Sequence, residues 1–210
     1  KIDEIMNVIL IGSGNVATQL GLFFQQSGHQ ISQVYSRNLA NASALALLLN
    51  TEAVDQLSLL AKDADLYLIA VSDAAIADIA AAMPQVSGIV CHCSGASPLN
   101  LLDRFYKYGV IYPPQSISKG LNTDLSKLPF AIEGNNAPVT AELLALMQAM
   151  SSTAFACNTT QRLSLHVAAV FANNFSNALY QISYELLQAH ELPFDLLKPI
   201  ILETALKVQA

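Results

Sequence analysis

The chain has 210 residues, of which 53% are hydrophobic and only 12% are charged, and its formal net charge is −6. The hydrophobic content excludes a disordered chain, and the ten lysines and arginines form no basic run that would suit a nucleic acid or an anionic membrane. No apolar stretch reaches the roughly 18 residues of a membrane span. So few charges predict an oligomer with an apolar interface, or else a monomer with a neutral polar surface.

Short apolar or alternating segments recur along most of the chain and predict strands. We expect strands at 6–11, 30–35, 52–54, 65–71, 88–93, 110–112, 130–132 and 154–157. We expect helices between them at 16–27, 39–49, 74–82, 97–106 and 141–150. This alternation is typical of an α/β fold with a doubly wound, mostly parallel Rossmann sheet, because parallel strands need long crossover connections.

The pattern changes near Asn158. We expect a long helix at 161–190 and, after Pro193, a second helical stretch at 194–208. The sequence therefore predicts an α/β domain at 1–157 and a smaller, all-helical C-terminal domain at 158–210.

A glycine motif stands between the first predicted strand and the first predicted helix. It reads Gly12-Ser13-Gly14-Asn15-Val16-Ala17, a G-x-G-x-x-A pattern. Gly12 permits a tight turn, Gly14 lets the backbone approach a pyrophosphate, and the small Ala17 lets the helix pack on the sheet. The helix start then offers free N–H groups to the phosphates, so the motif predicts a dinucleotide site. The alternative is a purely structural glycine turn.

The residues after the second strand predict which dinucleotide is bound. An NAD enzyme usually has an acidic residue here to hold the ribose hydroxyls. This chain has Ser36 and Arg37 instead, so no carboxylate repels a 2′-phosphate and the arginine can pair with it. The sequence therefore favours NADP over NAD and disfavours S-adenosylmethionine. The alternative for Arg37 is an ordinary surface arginine.

Further cofactor contacts are expected where later strands end. Val71 and Ser72 follow the fourth strand, and Ser94 follows the fifth, so their backbone and hydroxyls can reach the nicotinamide ribose or carboxamide. For Ser72 and Asp73, the alternative is simple helix capping.

The fifth strand itself contains Cys91, His92 and Cys93. We interpret the histidine as a core residue with its hydrogen bonds satisfied, and the cysteines as small core side chains. An odd cysteine count with this tight spacing fits neither a disulfide framework nor a zinc site, and indicates a cytoplasmic protein without a metal.

The long C-terminal helix carries an unusual stripe of polar residues. At about 100° per residue, one line collects His166, Asn173, Asn177, Tyr180 and Tyr184. No charged residue lies between Leu163 and Tyr184, so this face suits a polar cleft or a subunit seam rather than water. Histidine is the side chain type that ordinarily exchanges its proton near neutral pH, so His166 is a candidate proton donor. The alternative is a buried network that orders the helix packing.

These motifs resemble a known family. The resemblance rests on the segments 12–17 (GSGNVA), 68–73 (LIAVSD), 92–95 (HCSG), 112–116 (YPPQS) and 166–175 (HVAAVFANNF). They look like Rossmann-like proteins with a C-terminal domain of unknown function, which are described as NADP oxidoreductases and are similar in architecture to pyrroline-5-carboxylate reductase. Pro114 departs from the leucine usual there. The family's helical domain usually continues further than Ala210, so we expect part of it to lie outside this sequence.

These observations predict an NADP-dependent oxidoreductase. We expect hydride transfer to or from a small C=N or C=O substrate in the cleft between the two domains. His166 would supply the proton, and Asn173 and Asn177 would orient the substrate. The expected assembly is a homodimer through the C-terminal helices, with no nucleic-acid or membrane partner. The alternative is a non-catalytic NADP-binding regulatory or partner-binding protein, since no Lys or Glu stands at the acid position.

Overall fold

The computed structural model describes residues 5–117 and 124–209 of the chain. They divide into two compact units, Lys1–His166 and Val167–Ala210. The strands are β1 (Asn7–Ile11), β2 (Gln30–Tyr35), β3 (Glu52–Val54), β4 (Leu66–Ile69), β5 (Ile89–His92), β6 (Tyr108–Tyr112), β7 (Phe130–Gly134) and β8 (Ala154–Ala156). The helices are α1 (Asn15–Gln26), α2 (Leu39–Leu48), α3 (Ile76–Ala82), α4 (Ala137–Met150), α5 (Thr159–Ala169), α6 (Ser176–Gln188) and α7 (Lys198–Lys207).

All eight strands belong to one sheet. Their order is β3-β2-β1-β4-β5-β6-β7-β8. Every neighbouring pair is parallel except β6 and β7, which run antiparallel. The order reverses direction next to β1, so the predicted doubly wound, mostly parallel sheet is confirmed. The carboxyl ends of β1, β2, β4 and β5 therefore meet at one edge, where ligands bind in folds of this kind.

Strand β1 is buried on both faces, as its continuous apolar run predicts. Val8 and Leu10 join the core on one side of the sheet, and Ile9 and Ile11 join the core on the other. All four side chains are fully buried. The first core includes residues of α1, α2 and α4, and the second includes residues of α3. Burial of this strand thus ties both helical layers to the glycine turn that follows it.

The helix predicted at 97–106 does not form. The segment instead contains one 3₁₀ turn, Leu99–Leu102. The N–H of Phe105 donates to the carbonyl of Leu102 at 3.0 Å, which continues the three-residue spacing. This spacing directs Leu102 and Phe105 into the same core cluster. Tertiary burial of these two side chains thus overrides the Ser-Pro start signal for an α-helix.

The second compact unit is helical, as predicted, but not with one regular helix. A π-helical stretch, Val170–Phe175, precedes α6. A π turn holds more residues than an α turn, so the constant period that aligned the polar stripe does not hold through this stretch. Many large apolar side chains of this unit are exposed, among them Phe171, Phe175, Leu179, Ile182, Leu186, Ile200, Leu202 and Leu206. In residues 5–117 and 124–209, no helix is both long and apolar enough to cross a membrane.

Candidate functional site

The turn after β1 requires glycine at its first position. Gly12 has a φ of +126°, and its N–H donates to the carbonyl of Tyr35 at 2.8 Å. A Cβ atom at Gly12 would lie 2.2 Å from the carbonyl oxygen of Ala70, so both backbone and space exclude a side chain. At Gly14 no atom of the described residues lies within 4 Å of a hypothetical Cβ, so this backbone faces open space among them. Ala17 is fully buried against the sheet.

Helix α1 begins directly at this open space. Gly14 is its N-cap and, as a glycine, makes no side-chain cap hydrogen bond to the first N–H groups of the helix. The N–H of Thr18 donates to the carbonyl of Gly14 at 2.9 Å, which completes the first helical turn. The unsatisfied N–H groups and the positive end of the helix dipole are suited to an anion such as a pyrophosphate.

A cavity of about 490 Å³ lies over the turn and the helix start. Its volume is within the roughly 300–1,000 Å³ that is typical of small-molecule sites. All of the predicted cofactor residues except Ser94 line it: Gly12, Ser13, Gly14, Asn15, Val16, Ser36, Arg37, Val71 and Ser72. The ends of β1, β2 and β4 thus bring these separate segments together.

The cavity end next to β2 carries hydroxyls and a cation. The Ser13 hydroxyl lies 3.0 Å from the Ser36 hydroxyl, which links the glycine turn to the end of β2. Arg37 is exposed and lines the cavity. Asn38, the next residue, caps α2 with its side chain. Among the described residues that line this end of the cavity, none carries a carboxylate.

The two serines at the later strand ends are placed differently. Ser72 is the N-cap of a 3₁₀ turn, Asp73–Ala75, but its side chain makes no capping hydrogen bond, so its hydroxyl remains available to a ligand. Ser94 is buried outside the cavity lining. Its hydroxyl accepts hydrogen bonds from the N–H groups of Ala96 and Ser97, at 3.2 and 2.9 Å. A cofactor contact by Ser94 stays a prediction.

His166 is paired with a residue that sequence reasoning did not select. The Tyr112 hydroxyl, at the end of β6, lies 3.1 Å from Nδ1 of His166 on α5. A Cβ atom at Gly95 would lie 2.6 Å from Cζ of Tyr112 and 2.7 Å from Nδ1 of His166. The pair can thus form only over a glycine. The sequence alone gives little indication of this pair, since Tyr112 and Gly95 are far from His166 in the chain.

Beneath this pair lies a buried ion pair that the sequence analysis also missed. Nε of Arg162 donates to Oε2 of Glu133 at 3.0 Å, and both side chains are buried. Nη1 of Arg162 also donates to the carbonyls of Ser94 and Gly95, at 2.9 and 3.0 Å. The Thr159 hydroxyl donates to the other oxygen of Glu133. This arrangement holds the turn after β5 against α5, directly under the Tyr112–His166 pair. The sequence feature that could have indicated this ion pair is Glu133, the one charged residue in the apolar strand β7.

His92 is a core residue, as predicted. It is fully buried, and its Nδ1 accepts a hydrogen bond from the N–H of Ser94 at 3.2 Å. Burial, with Arg162 as the second cause, lowers the pKa of His92 to about 4, so the ring is neutral. Its hydrogen bonding is less complete than we expected, because Nε2 is buried without a hydrogen-bond partner in the described part of the chain.

The two predicted substrate-orienting amides lie in the second compact unit. Asn173 is in the π-helical stretch and Asn177 is in α6. Nδ2 of Asn177 donates to Oδ1 of Asn173 at 3.2 Å, and Nδ2 of Asn173 donates to Oδ1 of Asn174 at 3.1 Å. These bonds fix the amide orientations within this unit. A contact with substrate stays a prediction.

Comparison with known families gives two matches in chain order. Residues 7–90 match the family described as "NADP oxidoreductase coenzyme F420-dependent". Residues 128–210 match "Domain of unknown function (DUF2520)". No protein in the curated set that was compared matches the chain.

Solved structures extend the likeness to nearly the whole chain. BF3122 of Bacteroides fragilis, described as a "putative NADP oxidoreductase", is 36% identical, with a TM-score of 0.88 over 98% of this chain and 81% of that one. A 1-pyrroline-5-carboxylate reductase of Streptococcus pyogenes is 14% identical, with a TM-score of 0.73 over 98% and 78%. A reductive aminase of Aspergillus terreus, solved with NADPH and ethyl levulinate, is 11% identical, with a TM-score of 0.71 over 98% and 74%.

The last two likenesses are likenesses of fold, since the identity is low. The first, together with the order of the two domain matches, confirms the resemblance inferred from the sequence motifs. The chain belongs to the family of NADP oxidoreductase-like proteins in which a Rossmann domain is followed by this C-terminal domain of unknown function.

Proposed function

We propose that the protein is an NADPH-dependent reductase of a small C=N or C=O compound. One observation carries the proposal. The cavity over the glycine turn is lined at one end by Ser36 and Arg37, where an NAD enzyme would have a carboxylate. The oxidoreductase family to which the chain belongs supports it.

The residues of the cavity fit an NADP molecule. The start of α1 would hold the pyrophosphate, and Ser36 and Arg37 would hold the 2′-phosphate through charge-assisted hydrogen bonds. Val71 and Ser72 would contact the nicotinamide ribose or carboxamide, and Ser94 would act from the next strand end. When bound, NADPH supplies the hydride; the protein positions it and controls protons.

We assign proton delivery to His166. Its Nδ1 is already engaged by Tyr112, so on this proposal the exchangeable proton is carried on Nε2. Asn173 and Asn177 would orient the substrate through their amides. On this proposal, residues 1–157 serve the cofactor and residues 158–210 serve substrate binding and dimerisation.

A homodimer would cover the exposed apolar side chains of α6 and α7. These exposed apolar side chains are more numerous than the isolated ones that are normal on a protein surface. The same helices of a second copy would offer a matching apolar face. Light scattering on the purified protein at micromolar concentration tests this. A monodisperse monomer would contradict the dimer.

The proposed activity is tested with a panel of small imines, ketones, oxo acids and amino acids. NADPH oxidation or NADP⁺ reduction is followed by absorbance, and coenzyme F420 is included because the matched family is named for it. We expect turnover with NADPH on at least one imine or carbonyl compound. Tight NADPH binding without turnover on any compound would instead favour the non-catalytic regulator, and failure to bind NADPH would exclude both.

A further inference from the structure

The cavity has two oppositely charged ends. In the described part of the chain, Arg37 and Asp73 are the charged side chains that line it. Arg37 follows β2, Asp73 follows β4, and β1 with its glycine turn lies between these two strands. The anion-binding start of α1 therefore separates a basic end from an acidic one. A 2′-phosphate on the cofactor would explain the basic end. The cofactor's phosphates give no reason for a carboxylate at the acidic end.

The Asp73 carboxylate is not used by the protein itself. It is exposed at the first position of the 3₁₀ turn that follows β4. It takes part in none of the ion pairs formed within residues 5–117 and 124–209, and no other side-chain partner is recorded for it there. A structural role as an ion-pair partner therefore does not explain it. The carboxylate is free to meet a ligand in the cavity.

The charge of Asp73 reaches the hydroxyl of Tyr112. Burial is the main cause that raises the pKa of Tyr112; the Arg162 charge lowers this pKa and the Asp73 charge raises it, so the carboxylate acts on the Tyr112–His166 pair. Arg162, which also acts on Tyr112, forms a buried ion pair with Glu133. The hydroxyl of Tyr112 stays protonated. Among the described residues that line this end of the cavity, Asp73 is the one charged side chain.

Cys93, which also lines the cavity, does not add a charge. Burial raises the pKa of its thiol, so the side chain stays neutral at physiological pH. A positively charged ligand group at this end would gain an ionic partner, whereas a carboxylate on the ligand would be repelled. Neutral carbonyl compounds would gain nothing from the charge.

We propose that Asp73 selects a cationic substrate, an iminium ion or its ammonium product, over a neutral ketone or an oxo acid. The consequence for catalysis rests on the proposed function; the charge preference itself does not. In the reduction, the iminium carbon gains a hydride with its electron pair, and the C=N π electrons become the nitrogen lone pair. NADPH, the reductant, becomes NADP⁺. A proton from His166 then converts the lone pair to an N–H bond, and the ammonium product keeps the charge that Asp73 stabilises.

Three ring compounds of similar shape test the charge preference directly. Pyrrolidine is an ammonium ion at pH 7.5, cyclopentanone is neutral, and cyclopentanecarboxylate is an anion. Their dissociation constants are measured by calorimetry or ligand-observed NMR, with and without saturating NADP⁺. We expect the ammonium ion to bind about tenfold or more tightly than the ketone, and the anion to bind most weakly.

Two variants complete the test. Asp73→Asn should abolish the difference between the three compounds. Asp78→Asn removes the same charge from an exposed acid of α3 outside the cavity lining, and should keep the difference. Equal binding of the three compounds by the wild type overturns the inference, as does an unchanged ranking in Asp73→Asn.

A cofactor role for Asp73 is distinguished in the same samples. If the carboxylate serves the positively charged nicotinamide of NADP⁺, Asp73→Asn will weaken NADP⁺ relative to NADPH and leave the ranking of the ring compounds unchanged. That result overturns the inference but keeps the proposed reductase. Failure of the wild type to bind NADPH instead overturns the proposed function, while the ranking measured without cofactor still decides the charge preference.

Discussion

Nε of Arg162 lies 3.0 Å from Oε2 of Glu133, and this ion pair joins helix α5 to strand β7 inside the protein. Nη1 of the same guanidinium donates hydrogen bonds to two backbone carbonyls, those of Ser94 and Gly95. The Arg162 side chain therefore fixes the turn after β5, and the Tyr112–His166 pair packs against Gly95 of that turn.

Breaking this ion pair should strongly destabilise the fold. Arg162→Met leaves the Glu133 carboxylate buried without its cation, and we expect a loss of about 3–5 kcal/mol in the free energy of unfolding. Lys107→Met, which breaks the exposed pair with Glu142, should cost under about 1 kcal/mol. Chemical denaturation of both variants checks this. Equal losses would show that burial does not determine the contribution of Arg162.

The two glycines of the motif should respond differently to alanine. Gly12→Ala places a Cβ against the Ala70 carbonyl at a positive φ, so we expect a lower melting temperature. Gly14→Ala meets no atom of the described residues, so the fold should keep its melting temperature while NADPH binding weakens. Thermal unfolding and NADPH titration separate the two effects. Unchanged NADPH affinity in Gly14→Ala would argue against a pyrophosphate at this turn.

Arg37 should determine the preference for NADPH over NADH. Arg37→Ala removes a charge-assisted contact with the 2′-phosphate, worth about 1.5–3 kcal/mol, so NADPH affinity should fall roughly tenfold to hundredfold. NADH affinity should not change, and Arg37→Lys should retain part of the preference because it keeps the charge but not the planar fork. Fluorescence titration of both nucleotides provides the measurement. Equal affinity of the wild type for the two nucleotides would contradict the NADP assignment.

His166 should matter for turnover and not for cofactor binding. With a substrate from the panel, His166→Gln should lower kcat about a hundredfold, the usual value of general acid catalysis, and leave NADPH affinity unchanged. Tyr112→Phe keeps the ring but removes one hydrogen bond to Nδ1, so a smaller loss of about fivefold is expected. Wild-type kcat in His166→Gln would remove the histidine from the mechanism.

His92 should make the fold less stable as the pH falls. Its pKa is about 4 in the folded protein, mainly because of burial, and about 6.5 when unfolded. Above pH 6.5 both states are neutral and the stability is complete. Between pH 6.5 and 4 only the unfolded state takes up the proton, so the free energy of unfolding falls by about 3 kcal/mol in total.

The contribution of His92 can be isolated by substitution. His92→Gln should reduce the dependence of the unfolding free energy on pH between 6.5 and 4, whatever its effect at pH 8. His190→Gln changes an exposed histidine and should leave that dependence as in the wild type. Denaturation curves across this pH range supply the comparison. An unaltered slope in His92→Gln would place the proton uptake elsewhere.

Much of the fold could be predicted from local patterns. A strand buried on both faces needs a continuous apolar run, and such runs marked β1, β4 and β5. The glycine motif between β1 and α1 also predicted where the cavity lies, because the glycines that its backbone conformation requires stand close together in the sequence. These features follow from the chain's own periodicity and from conformations that only glycine adopts.

The tertiary structure alone decided which distant residues meet. Arg162 with Glu133, and Tyr112 with His166 over Gly95, come from different strands and helices, so no local spacing announces them. The 3₁₀ turn at Leu99–Leu102 and the π-helical stretch Val170–Phe175 likewise departed from the predicted helices. Whether a charge is buried, or a predicted helix is replaced by another structure, depends on the residues that it contacts in space. The free energy of those contacts depends on atoms that are not adjacent in the sequence.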